Sequence, residues 1–150
     1  PVTIARLDVG VSFGEWRYTN HVAGSYRHDA RTEDVQAFNF FIDNLKVGDS
    51  PQTQMAFGLS VFPMDGLDIQ AVVKHYANHY ADFDPFSRSN PLDRKQSWEA
   101  PNYQLVDFHV NYNLPQTGLP FDIQLFGHLF NALDAVYVQD ALDNSQFNSW

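Results

Sequence analysis

Apolar and polar residues alternate along five stretches of this chain. Near the start, one set of positions is apolar and the other small or polar: Leu7, Val9, Val11 and Phe13 against Asp8, Gly10, Ser12 and Gly14. Successive side chains of a β-strand point to opposite faces, so a period of two predicts a strand with one apolar and one polar face. The predicted strands are 7–18, 52–62, 67–80, 103–114 and 121–129, the last being the first half of a stretch that runs to Tyr137.

The connections between these strands alternate in length. Residues 63–66 form a tight turn, in which Asp65-Gly66 is a strong hairpin signal, and 115–120 form a second short turn. Residues 19–34 are polar without a sustained period, which predicts a long loop, and 82–101 form another. Between them, 35–47 predict a β-ribbon and 48–51 a turn. The predicted fold class is therefore all-β, an antiparallel meander.

Three features favour lipid on the apolar side of these strands. Alternation of short turns with long loops is typical of outer-membrane barrels. The opposite face carries Asp, Gln, Ser, Gly, His and Asn, which suits a hydrated lumen. Aromatic residues are 15% of the chain and charged residues 18%, against roughly 25% charged in soluble domains, and aromatics gather near the strand ends as membrane girdles do.

Five strands are too few to close a barrel, which needs at least eight. Open edges in lipid leave unpaired backbone groups that cost several kcal/mol each. The chain is therefore expected to be part of a transmembrane β-barrel, open and incomplete. We expect an open, curved, antiparallel sheet that exposes five residues on its convex side: Leu7, Phe57, Ile69, Phe108 and Ile123. A soluble β-sandwich binding module or secreted hydrolase would instead bury them in a core.

Composition narrows the partners further. A net charge of −9 argues against nucleic acid, whose phosphates need a basic face. Without cysteine no disulfide or thiolate metal site forms, and no apolar run is long enough for a transmembrane helix. The chain begins at Pro1 without a signal peptide and stops at Trp150, which we interpret as an internal or C-terminal fragment.

Two sets of side chains contain residue types used in metal binding or catalysis, but their spacing and sequence context do not fit either role. His75 and His79 are four residues apart, which on a strand places them about 13 Å apart, too far to share a metal. Interfacial histidines are the favoured interpretation. Ser60, Asp107 and His109 contain triad residue types, but the nucleophile-elbow motif is missing and a lumen needs polar residues anyway. We therefore predict no enzyme activity, no metal and no cofactor.

The second long loop holds the candidate ligand residues. Asp82, Asp84 and Asp93 include a D-x-D pattern but lack the glycine and glutamate of a calcium loop. Solvated charge, or packing with Arg88, Arg94 and Lys95, is favoured instead. The loop aromatics could stack on a sugar or other ligand, or hold the loops together. The predicted ligand-facing set is Asp82, Phe83, Asp84, Phe86, Arg88 and Trp98.

Three segments carry a family resemblance. The most specific is 125–137, LFGHLFNALDAVY, followed by 97–107, SWEAPNYQLVD, and 46–53, KVGDSPQT. In this order they resemble the C-terminal barrel region of TonB-dependent outer-membrane receptors, especially the type common in Bacteroidetes-like bacteria. The first is similar to the family's penultimate strand, with Ala132 where Leu is usual and His128 where Asn is usual. The resemblance covers nearly all of residues 1–150, without the final strand or the plug domain.

The resemblance implies a 22-stranded barrel filled by a plug in the cell outer membrane. Such receptors take up a scarce ligand of the siderophore, cobalamin or glycan class, whether a small molecule, a metal chelate or a glycan. Their partners are the lipid bilayer and TonB, which contacts parts outside this chain. A passive porin-like barrel would share the strand pattern and remains an alternative.

Overall fold

The computed structural model describes residues 4–29, 31–115, 118 and 120–143. Within them the chain is all-β, and every strand pair is antiparallel except one short parallel pair. The strands are β1 (Ala5–Phe13), β2 (Val22–His28), β3 (Arg31–Phe40), β4 (Thr53–Met64), β5 (Leu67–Ala77), β6 (His79–Tyr80), β7 (Asp82–Phe83), β8 (Glu99–Ala100), β9 (Tyr103–Asn113), β10 (Gln124–Leu129) and β11 (Leu142–Asp143). A 3₁₀ helix spans Pro85–Arg88. Across the described part of the chain, no helix has the length and apolar character that crossing a membrane requires.

The chain divides into two compact units. The sheet unit comprises 1–13, 53–77 and 102–137, and the loop unit comprises 14–52, 78–101 and 138–150. In the sheet unit, five antiparallel strands lie in the order β1-β4-β5-β9-β10. The sheet is open among the described residues, with β1 and β10 at its edges.

The five predicted strands are confirmed, with shifted ends. Strand β1 ends at Phe13 rather than residue 18 because the next residues pair elsewhere: Val47 N donates to Trp16 O, and Tyr18 N to Leu45 O. The last strand starts at Gln124 instead of Phe121. The turn predicted at 115–120 lies largely outside the described residues.

The predicted hairpin between β4 and β5 is confirmed. Asp65-Gly66 connects the strands, and the register shifts between Val61 and Met64, as a bulge requires. Gly66 has a φ of +81°, and a Cβ there would collide with the Asn113 carbonyl oxygen. Only glycine meets both conditions without strain.

The loop predicted over 19–34 is wrong. Strands β2 and β3 form an antiparallel hairpin through this region, in which Val22 pairs with Phe40 and Gly24 with Phe38. Most described residues of β2 are exposed, so no buried face imposed the apolar alternation that identifies a strand. The ribbon predicted over 35–47 is half correct, because β3 begins at Arg31 and ends at Phe40.

A small core holds the loop unit together. Phe40, Ile42, Leu45 and Phe83 are buried, with Tyr18 and Phe38 packed against them. The rings of Phe38 and Phe40 stack with centroids 4.6 Å apart, and the Phe83 ring meets Tyr18 edge-on at 5.6 Å. The loop segments thus have a core of their own.

Candidate functional site

One face of the five-strand sheet is apolar along most of its length. Residues paired across antiparallel strands share a face, and the register therefore assigns the set directly. Its main members are Leu7, Val9, Val11, Phe13, Met55, Phe57, Leu59, Val61, Leu67, Ile69, Ala71, Val73, Val106, Phe108, Val110, Tyr112, Leu125, Gly127 and Leu129. The same register also places Ala5, Thr53, His75, Ala77 and Gln104 on this face. We call this set the apolar face.

Much of the apolar face is uncovered. Of the five residues expected to be exposed, Leu7, Phe57 and Phe108 are exposed, whereas Ile69 and Ile123 are half-buried. Ile69 lies on a central strand between Val61 and Val110, so its neighbours cover part of it. Ile123 precedes β10. The exposed fraction is 44% for Phe57 and 51% for Leu59, both in the middle of β4.

The opposite face, which we call the polar face, is mostly polar and, on the central strands β4, β5 and β9, more deeply buried. Its members are Arg6, Asp8, Gly10, Ser12, Gln54, Ala56, Gly58, Ser60, Asp68, Gln70, Val72, Lys74, Tyr76, Tyr103, Leu105, Asp107, His109, Asn111, Asn113, Gln124, Phe126 and His128. Ser60 is 0% exposed and Asp107 is 2% exposed. Burial in this sheet therefore runs opposite to that in a water-soluble domain, where apolar residues are inside.

An ion pair organises the middle of the polar face. Lys74 Nζ lies 2.7 Å from Asp107 Oδ2, and the other oxygen, Asp107 Oδ1, accepts the backbone N–H of Asn131 at 2.8 Å. The Ala132 N–H donates to the Val106 carbonyl at 2.7 Å. These two hydrogen bonds connect the segment after β10 to strand β9.

The segment after β10, part of the motif that carried the resemblance, folds through its own side chains. Asn131 has a φ of +49°, in the left-handed region. Its amide accepts the Ala135 N–H at 2.9 Å and donates to the Ala135 carbonyl at 3.0 Å. Tyr137 then stacks on Tyr103 at 4.5 Å, and Tyr103 on Tyr76 at 4.8 Å.

The tyrosine stack bears on the predicted aromatic girdles. Tyr76 pairs with Gln54 and Tyr103, so both tyrosines belong to the polar face. A girdle would surround the apolar face instead. The aromatics near the strand ends include Tyr76 and Tyr103, and the register assigns both to the face opposite the apolar one.

Two of the predicted ligand-facing residues are buried in the loop unit. Phe83 belongs to the core. Arg88 is 1% exposed, and its Nη1 lies 3.0 Å from Asp93 Oδ2, while Nη2 lies 3.8 Å from Asp143 Oδ2. The predicted packing of Asp93 with Arg88 is confirmed. Both side chains, Phe83 and Arg88, are thus engaged inside the loop unit in this structure.

The other four predicted residues reach the surface to different degrees. Phe86 and Asp84 are exposed, and Asp82 and Trp98 are half-buried. The Asp84 carboxylate accepts the Phe86 N–H at 3.0 Å, which caps the 3₁₀ helix. The Phe86 ring meets Phe40 edge-on at 5.1 Å and is otherwise largely exposed. A ligand-facing role for these four residues stays a prediction.

The other candidate residues belong to different units or have other bonding partners. His75 lies in β5 of the sheet unit and His79 in β6 of the loop unit. Asp107 bonds to Lys74 and Asn131, and Ser60 Oγ accepts from Arg6 Nη2 at 3.4 Å. Among the described residues, no group of three His, Cys, Asp or Glu side chains is placed to hold a metal ion.

Sequence reasoning missed a histidine pair. His109 of β9 lies opposite His128 of β10, with their Nδ1 atoms 2.8 Å apart. Both strands were predicted, and so was the turn that joins them. The register that pairs residues 109 and 128 was the missing information.

Two carboxyl groups of the loop unit have shifted pKa values. Hydrogen bonds from Arg17 and then Lys46 lower the pKa of Glu15, and the closest contact is Arg17 Nη2 at 2.6 Å. Desolvation, followed by the charges of Asp82 and Asp140, raises the pKa of Asp49. Both groups lie at the surface. The lowered pKa of Glu15 reflects its two cationic partners, and the raised pKa of Asp49 reflects desolvation and neighbouring carboxylates.

No protein-family model, no curated protein and no solved structure matches this chain.

Proposed function

We propose that this chain forms part of the wall and extracellular loops of an outer-membrane β-barrel. The observation that carries the proposal is the inverted burial of the sheet unit. Leu59 is 51% exposed, whereas its neighbour Ser60 is fully buried. A sheet with lipid outside and a polar lumen inside has this order, because lipid solvates apolar side chains and polar ones require partners.

The extent of the apolar face supports lipid as its solvent. Five strands spaced about 4.8 Å apart, with nine paired residues along β1 and β4, cover roughly 20 by 30 Å. That is about 600 Å², at the upper end of the largest apolar patches on soluble monomers. A bilayer removes such a surface from water without a second protein layer.

The particular class we propose is a TonB-dependent receptor that takes up a scarce siderophore, cobalamin or glycan ligand. The support is the resemblance of 46–53, 97–107 and 125–137 to that family. Two residues of this motif have defined structural roles. Asn131 forms two hydrogen bonds with Ala135, and Tyr137 stacks on Tyr103. A plug domain and TonB are the implied partners.

Cysteine labelling tests the orientation of the sheet. The chain has no cysteine, so a single introduced cysteine is the only thiol in it that the reagent can label. Val9→Cys and Asp8→Cys are adjacent on β1, exposed, and on opposite faces. In native outer membranes, a membrane-impermeant maleimide should label Asp8→Cys and spare Val9→Cys. Equal labelling of both, with the protein in the soluble cell fraction, would refute the membrane assignment.

Uptake measurements separate a TonB-dependent receptor from a passive pore. Cells with and without the gene are compared for accumulation of labelled siderophores, cobalamin and oligosaccharides. Collapse of the inner-membrane proton gradient should abolish uptake of the matching ligand, since TonB draws on that gradient. Uptake that persists after collapse would assign the barrel to the passive class.

A further inference from the structure

The polar face carries a histidine pair with chelating geometry. His109 and His128 are directly opposed on adjacent antiparallel strands, where Cβ atoms lie about 5 Å apart. Their Nδ1 atoms are 2.8 Å apart, and the rings meet at 63°. One Nδ1 must carry the proton and the other the accepting lone pair. Two imidazole nitrogens thus converge on one point.

We propose that His109 and His128 bind a divalent transition-metal ion through their facing nitrogens. For both Nδ1 atoms to offer a lone pair to the metal, the ring that donates the hydrogen bond moves its proton from Nδ1 to Nε2, and both imidazoles stay neutral. With metal–nitrogen distances near 2.05 Å and tetrahedral angles, two ligating nitrogens lie roughly 3.3 Å apart. The pair needs to widen by about half an ångström, and His128, exposed on the edge strand β10, has room to do so.

Packing holds the two rings in place for a metal. The Phe130 ring lies 5.6 Å from the His109 ring and 5.9 Å from the His128 ring, so it contacts both partners. Restricting the imidazoles before binding reduces the entropy lost when the metal orders them. The backbone pairing of β9 with β10 fixes the spacing independently of what covers the apolar face.

The site is open. Since no third His, Cys, Asp or Glu among the described residues completes the set, water or donor atoms of an incoming ligand fill the remaining positions. Imidazole nitrogens suit zinc, nickel and copper, and Cu²⁺ binds such sites most strongly among the first-row divalent ions. A metal held by only two protein groups can also accept an oxygen or nitrogen donor from a small molecule.

Copper binding tests this inference. The full-length protein in mild detergent is titrated with Cu²⁺, and electron paramagnetic resonance records nitrogen hyperfine splitting. The wild type should show one site coordinated by two imidazoles. His128→Gln and His109→Gln should each weaken that site about tenfold or more, and the double variant should not weaken it much further. His75→Gln, a histidine of β5 outside the pair, is the matched control and should leave the affinity unchanged.

Two results of the copper titration would contradict the proposed site. Equal copper affinity in the wild type, His128→Gln and the double variant would overturn the site, as would a spectrum showing a single nitrogen ligand. His128 is exposed, and a circular dichroism spectrum unchanged in His128→Gln assigns any loss of binding to the ligand itself. A negative result here leaves the cysteine-labelling test of the membrane assignment unaffected.

Discussion

At the residue scale, Arg88 is the charge on which the loop unit depends. It is buried between Asp93 and Asp143, and its Nη1 also donates to the Lys95 carbonyl at 3.1 Å. Asp143 in turn accepts the Trp98 N–H at 2.9 Å. One guanidinium therefore connects residues 93–95 with Asp143, and a neutral side chain of similar length cannot do so.

Arg88→Met should destabilise the loop unit by about 3 kcal/mol, because removing one partner of a buried ion pair leaves desolvated carboxylates without their shared cation. Hydrogen exchange of the loop-unit amides measures the loss. Arg94→Met is the control, since Arg94 is exposed, and it should change protection little. Similar effects from both variants would show that Arg88 contributes no more than a surface charge.

Asn131 combines an unusual backbone conformation with two side-chain bonds. Asn131→Gly keeps the left-handed backbone and loses only the bonds to Ala135, at about 1–2 kcal/mol. Asn131→Ala loses both and should cost roughly 1 kcal/mol more. Urea unfolding of the two variants in vesicles measures the difference. An alanine variant as stable as the glycine variant would mean that the backbone conformation is not imposed by the fold.

Glu15 gives the loop unit a dependence on pH. Its pKa lies below the ordinary value because Arg17 and Lys46 bond to it. A carboxyl whose folded-state pKa is lowered stabilises the fold above its unfolded pKa, and that contribution disappears as the pH falls through the folded value. Glu15→Gln should therefore reduce stability at pH 7 and have no effect at low pH. Unfolding curves over that range, repeated in an Arg17→Gln background where the effect should shrink, provide the measurement.

At the element scale, the middle of β4 discriminates between lipid and water. Leu59 is half exposed, so Leu59→Arg would cost almost nothing in a soluble protein. In a bilayer, an arginine on the lipid face near the midplane costs about 2–4 kcal/mol. Gln70→Arg, on the polar face of β5, is the matched control and should be tolerated. The yield of folded barrel in outer membranes, read from heat-modifiable mobility on gels, compares the two variants.

Alternation of apolar and polar residues in the sequence predicts some strands of this fold and misses others. Strands β1, β4, β5, β9 and β10 were predictable because one face of each carries mainly apolar residues, and that face repeats every second residue. The β2–β3 hairpin was missed because β2 is exposed over most of its described length, so nothing selected apolar residues at alternate positions. Arg88 was assigned to a ligand surface because a sequence does not show which charges become buried.

Pairs across strands depend on register, which local pattern does not supply. The contact between His109 and His128, and the anchoring of Asn131 by Asp107, join residues 19 and 24 positions apart. A shift of one residue would move each side chain to the other face. These features became visible only with the strands in place.

At the scale of the whole molecule, the open edges of the sheet determine whether this chain can insert into a bilayer by itself. Strands β1 and β10 each have one neighbour among the described residues, and each unpaired backbone group in hydrocarbon costs several kcal/mol. The 150-residue chain alone should therefore fail to insert into lipid vesicles in a protease-resistant form. The full-length protein from outer membranes should resist digestion, and its β10 amides should be protected from hydrogen exchange by a further strand. Stable, protease-resistant insertion of the 150-residue chain by itself would contradict the proposed place of this sheet in a larger closed barrel.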